Sequence, residues 1–90
     1  MRKFDWDVQK NEKLLRERRI SFEEIIVLVE GEGLLDIIEN PNPKYKNQWV
    51  FVVDVGGYAY LVPFVLNKGA YFLKTIFPSR QMTKKYFGGT

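Results

Sequence analysis

Two cations and a few phenols carry most of the chemistry this 90-residue chain can offer, because it contains neither Cys nor His. Those absences remove a disulfide framework, a thiolate nucleophile, a thiolate zinc site and the usual proton carrier at neutral pH. What remains is Lys74 inside the apolar stretch from Ala70 to Phe77, Arg80 just after Pro78-Ser79, and tyrosines such as Tyr60 and Tyr86. A fork-shaped guanidinium beside the first amides of a helix can grip a phosphate, and an ammonium among apolar neighbours is a sheltered positive charge. Lys84 and Lys85 follow four and five residues after Arg80, so Lys84 shares its helical face and could track a phosphate backbone. Plainer readings stand beside these. Lys74 can be a gatekeeper on an edge strand, Arg80 a surface partner for an acidic residue of an N-terminal helix, and Lys84 and Lys85 a solvated pair. Asp36, Glu39 and Asp54 lack the spacing of a metal site, so no metal or cofactor is expected.

The charge pattern favours a polyanionic partner. The chain has 14 basic and 11 acidic residues, a net charge of +3. Residues 1–39 hold seven basic and ten acidic groups, 7 − 10 = −3, whereas residues 40–90 hold seven basic groups and only Asp54, 7 − 1 = +6. Clustered Lys and Arg raise the local potential and release counterions from a phosphate backbone, although a solvated basic surface has the same composition. Arg16, Arg18 and Arg19 end an N-terminal helix, where they complement its dipole; contact of Arg18 and Arg19 with RNA is a second role. The apolar run Ile25 to Val29, as long as any in the chain, is too short to span a bilayer, and no apolar segment follows Met1. A cytoplasmic protein with no membrane partner is the expectation.

One sheet must position these groups. At this length one domain over residues 1–90 is expected, with nearly all apolar residues in its core. Phe4-Asp5-Trp6 reads as a terminal edge strand. Asp7 can cap a helix running to about Arg19, with a thin apolar stripe of Val8, Leu14 and Leu15. Ser21-Phe22-Glu23-Glu24 is a capping box, and Phe22, Ile25, Ile26 and Val29 make one face of a second helix that Gly31 ends with a left-handed cap. Leu34 to Ile38 is a short strand. The prolines of Asn40-Pro41-Asn42-Pro43 then exclude regular structure as far as Asn47. Gln48 to Val55 alternates Trp49, Phe51, Val53 and Val55 against Val50, Val52 and Asp54; Gly56-Gly57 turns it into Tyr58 to Leu66. Pro63 requires an edge, a bulge or a break. Asn67-Lys68-Gly69 turns again into a last strand, Ala70 to Phe77, and Ser79 caps a helix through about Tyr86. The order (β)ααββββα predicts an α+β protein: an antiparallel meander sheet with the two N-terminal helices on one face and a short C-terminal helix. Both faces of the middle strands are apolar or aromatic. The second face is therefore covered by the last helix or a partner, such as a second copy in a homodimer, or is used for binding.

Three segments in order carry a family likeness: Phe4-Asp5-Trp6-Asp7, Ser21-Phe22-Glu23-Glu24 and Pro78-Ser79-Arg80-Gln81-Met82-Thr83. Together they resemble the BrnT family of toxins over nearly the whole chain. The resemblance implies a RelE-like fold, metal-independent endoribonuclease activity, and neutralisation by a cognate antitoxin, usually a ribbon-helix-helix protein. Arg80 and Thr83 match the family's junction residues. Two groups depart from its pattern: the usual Lys-His-Gly is Arg18-Arg19-Ile20, and a late-strand Glu-Arg pair is replaced by uncharged Val65-Leu66-Asn67. Both changes remove acid, base or phosphate-binding groups. Cleavage of RNA would then use Arg80 and Lys74 as charge stabilisers, with Tyr86, Tyr60 or a lysine carrying the proton. The alternative is a nucleic-acid-binding or protein-interaction module without catalysis.

Overall fold

A computed structural model describes residues 3–88 of the chain. Asp7 caps helix α1 (Val8–Arg18), its carboxylate accepting the amides of Gln9 and Lys10 at 2.8 and 3.2 Å. Ser21 caps α2 (Phe22–Glu30) by accepting the Glu24 amide at 3.2 Å. Each cap satisfies amides that the first helical turn leaves without a partner. The strands are β1 (Phe4–Trp6), β2 (Leu34–Glu39), β3 (Trp49–Val55), β4 (Tyr58–Asn67), β5 (Ala70–Leu73) and β6 (Phe77–Pro78), followed by helix α3 (Arg80–Phe87). The protein is α+β, with β2 to β5 forming an antiparallel meander. Terminal β1 extends that meander into a mixed sheet by pairing parallel to β5, Phe4 opposite Tyr71, which gives the order β1-β5-β4-β3-β2. No helix among the described residues is long and apolar enough to cross a membrane.

The alternation in β3 sorts the core into two layers. Phe51 and Val53 join Leu14, Ile20, Phe22, Ile25, Val29, Val62, Phe64, Leu73 and Ile76 under α1 and α2, where the Phe51 and Phe64 rings stack at 4.1 Å. Val50 and Val52 face the other way with Ala59 and Leu61, against Phe77, Met82 and Tyr86. The last helix thus covers much of the second sheet face. Gly56 and Gly57 both take positive φ, 60° and 89°, as a two-residue hairpin turn between right-twisted strands requires.

Several local expectations are revised. The α1 stripe is thinner than its apolar spacing suggests: Leu14 is buried, but Val8 and Leu15 are 66% and 53% exposed because the second helix takes most of the core contact. Gly31 ends α2 at φ −96°, outside the left-handed region, and the positive φ instead falls on Arg19 after α1. Pro43 opens a short 3-10 turn, Pro43–Tyr45, capped by Asn42; a proline at the first position of such a turn has no amide to lose.

The largest revision concerns the last strand, which breaks after Leu73. The Lys74 amide donates to the Pro63 carbonyl at 2.8 Å, but Pro63 has no amide hydrogen to return, so the ladder cannot continue. Pairing resumes with Phe77 opposite Leu61. From Pro63 to Leu61 β4 advances two residues while its partner advances three, a bulge that turns Ile76 into the core under α1 and α2 and returns Phe77 to the α3 face. A continuous strand would have left Ile76 on the face of Lys74.

Candidate functional site

The break beside Pro63 opens a cleft. On one side stand Lys74, Thr75 and Phe77, on the other the β2–β3 loop with Asn40, Pro41, Asn42, Tyr45 and Gln48, and Leu61 and Pro63 also line it. Its volume is about 420 Å³, within the range of small-ligand sites. Apolar walls with few polar groups suit a flat ring. Among the described residues Lys74 is the only charged one that lines it, with Nζ 5.4 Å from the centre of the Phe72 ring. Of the two apolar neighbours that an unbroken strand would place on the face of Lys74, Phe72 is there and Ile76 has turned into the core, so the ammonium stands at an irregular, open stretch.

Arg80 does not line this cleft. The amide of neighbouring Ser79 donates to the Ala59 carbonyl, whereas that of Lys74 donates to Pro63. These anchors are four residues apart on β4, about 13 Å of extended chain. The main chain therefore carries Arg80 and Lys74 from two separate points of β4, and of the two Lys74 alone lines the cleft. Arg80, Lys84 and Lys85 are exposed on α3, with Lys85 Nζ 5.4 Å from the Tyr86 ring centre.

Three other sequence candidates are occupied structurally. Thr83 Oγ1 accepts the Ala59 amide at 2.8 Å and donates to the Ser79 carbonyl at 2.7 Å, latching α3 to β4. The Arg18 guanidinium donates to the Ile76 carbonyl, which fixes the end of α1 to the strand break. Tyr86 donates its hydroxyl to Asp36, and this bond first, then burial, pushes the phenol up to about 12. A phenol held there is a poor proton carrier at neutral pH. Asp36 is correspondingly below the usual carboxylate range, chiefly because of Tyr86 and then the Ile37 amide. Arg19, with its left-handed backbone, stays exposed at the end of α1. Tyr60 packs against the core under α1 and α2. Among the described residues no three carboxylates gather; Asp54 accepts the Gly57 amide at 2.8 Å in its turn.

Sequence reasoning missed Asn40, Asn42, Tyr45, Gln48 and Thr75 as site residues. The density of amide side chains around two prolines, Asn40 to Gln48, was the available signal. Asp36 was missed as the partner of Tyr86 because a register shift between Leu34 and Asp36 sets Asp36 opposite Val52, on the α3 face; unshifted pairing would have turned it inward. No protein-family model matches the chain, and no curated protein does either.

Proposed function

We propose that this protein is a toxin-type, metal-independent endoribonuclease of BrnT and RelE-like kind, acting on single-stranded RNA across its α3 face. The observation that carries the reading is the Lys74 ammonium at an apolar-walled cleft, on a face whose helix presents Arg80, Lys84 and Lys85. RNA outside a duplex exposes base faces for apolar walls and phosphates for cations. Cleavage uses the 2′-oxygen of one nucleotide to attack the adjoining phosphorus. The bond from phosphorus to the 5′-oxygen breaks, and the proton lost from the 2′-oxygen ends on the 5′-oxygen. A 2′,3′-cyclic phosphate and a 5′-hydroxyl result. Lys74 stabilises the charge that gathers on the phosphorane oxygens, while Arg80 and Lys84 hold neighbouring phosphates. A cytoplasmic site of action and control by a ribbon-helix-helix antitoxin belong to the same reading.

Incubation of RNA in excess EDTA tests it. Cyclic-phosphate ends, falling at least tenfold in Lys74→Ala, are expected; cleavage that stops with the chelator or ignores Lys74 refutes the assignment. The bond between Tyr86 and Asp36 favours a second reading, RNA binding without cleavage, since it withdraws the phenol best placed on α3 to move a proton. Intact RNA retained by the wild-type chain, together with harmless expression in cells, would select that reading.

A further inference from the structure

We infer that the cleft beside Lys74 selects an unpaired guanine by its O6 and N7 edge, a deepening that rests on RNA being the ligand. Asn40, Asn42 and Gln48 of the β2–β3 loop form a relay in which each side-chain oxygen already accepts one hydrogen bond. The Lys44 amide donates to Asn42 Oδ1 at 3.0 Å, the Asn42 amide to Asn40 Oδ1 at 3.0 Å, and Asn40 Nδ2 to Gln48 Oε1 at 3.3 Å. Four main-chain oxygens around the cleft accept hydrogen bonds too. Asn42, Tyr45, Gln48 and Pro63 accept the amides of Tyr45, Gln48, Asn40 and Lys74 at 2.9, 3.0, 2.9 and 2.8 Å. Wholly unengaged are the donors Asn42 Nδ2 and Gln48 Nε2, beside the three N–H groups of Lys74. The hydroxyls of Tyr45 and Thr75 can act either way.

A site whose few unengaged polar groups are mostly donors accepts a base edge rich in acceptors. Adenine and cytosine present an exocyclic amine on that edge, which would meet another donor, and uracil presents a single oxygen there. Guanine presents O6 and N7 side by side, the pair that an ammonium or guanidinium reads in known grooves. Leu61, Pro63 and Phe77 supply apolar wall for the purine rings, and the half-exposed Tyr45 ring can lie against them. The donor relay thereby gives base preference, and the exposed cations of α3 give affinity without preference.

Fluorescence anisotropy with adenine pentanucleotides, 2′-O-methylated so that they stay intact and carrying G, A, U or C at the centre, tests the inference. The central guanine is expected to bind about tenfold tighter than adenine. Replacing it with 7-deazaguanine, which lacks the N7 acceptor, is expected to remove several-fold of that preference. Gln48→Glu keeps an oxygen for Asn40 but exchanges the free donor for an acceptor, so the ratio of guanine to adenine affinity falls toward one while the thermal midpoint holds. Equal binding of all four strands, or an unchanged ratio in Gln48→Glu, overturns guanine selection and leaves RNA binding standing. Failure of every strand and of unmodified RNA to bind overturns both.

Discussion

The two faces of the sheet differ in how each contact is made. Beneath α1 and α2, aromatic and branched side chains fill the space between layers, with Phe22, Phe51, Ile25 and Ile76 fully buried. Beneath α3 the buried cluster among the described residues is smaller: Val50, Val52, Ala59 and Leu61. Phe77, Met82 and Tyr86 pack against it, and polar links hold the helix beside them: Thr83 on Ala59 and Ser79, and Tyr86 on Asp36. A close-packed apolar layer stabilises strongly and leaves no room for a ligand. A layer joined by directed hydrogen bonds can leave a cleft open beside it, and here it does so at Pro63. The first face supplies the fold and the second the chemistry.

Substitution on each face should expose this division most clearly. Phe51→Ala removes a ring stacked on Phe64 and is expected to cost about 3–5 kcal/mol of stability in urea unfolding, much of what a small domain has. A loss below about 1 kcal/mol would mean that the α1 and α2 face is not the dominant core. Lys74→Ala should do the reverse: at least a tenfold loss in RNA affinity or cleavage, with an unchanged thermal midpoint, because the side chain is exposed. Arg80→Ala and Lys84→Ala should each weaken RNA binding a few-fold, equally for all sequences, and each should reduce the salt slope by about one. A change in base preference from either variant would contradict the assignment of α3 to phosphate contact.

The smallest effect is expected from the link between Tyr86 and Asp36, and pH reads it. Because the phenol of Tyr86 lies near 12 in the folded chain, its contribution is complete below the ordinary tyrosine value of about 10 and is lost as pH rises toward 12. Asp36 runs the other way: its contribution is present above the ordinary carboxylate value of about 3.9 and is lost as pH falls through its lowered folded value. One of the five tyrosines should therefore ionise late in a phenolate absorbance titration, and Tyr86→Phe should remove that step. Asp36→Asn with Tyr86→Phe should lower the thermal midpoint no more than the larger single change; additive losses would show that the two do not act together.

Much of the fold was legible because short-range rules govern it. Asp7 and Ser21 cap the helices they precede, Gly56-Gly57 makes the turn that positive φ demands, and the period of two in β3 divides Phe51 and Val53 from Val50 and Val52. Pro63 announced an interruption, since a residue without an amide hydrogen cannot complete a ladder. The candidate site was legible only in part. Lys74 could be singled out as a cation in an apolar stretch, but Thr83, Arg18 and Tyr86 looked equally available until their partners were known.

By itself, then, the sequence determined most of the elements, the inner faces of α2 and β3, the basic half and the place where β4 must lose a partner. Only the tertiary structure decided which residue stood across each gap. It set Asn40, Asn42 and Gln48 opposite Lys74, spread Arg80 and Lys74 along β4, and gave Tyr86 to Asp36 through a one-residue register shift. Caps, turns and alternation act over a few bonds of chain. A bulge reverses which face every later side chain meets, and that depends on contacts between residues far apart in sequence.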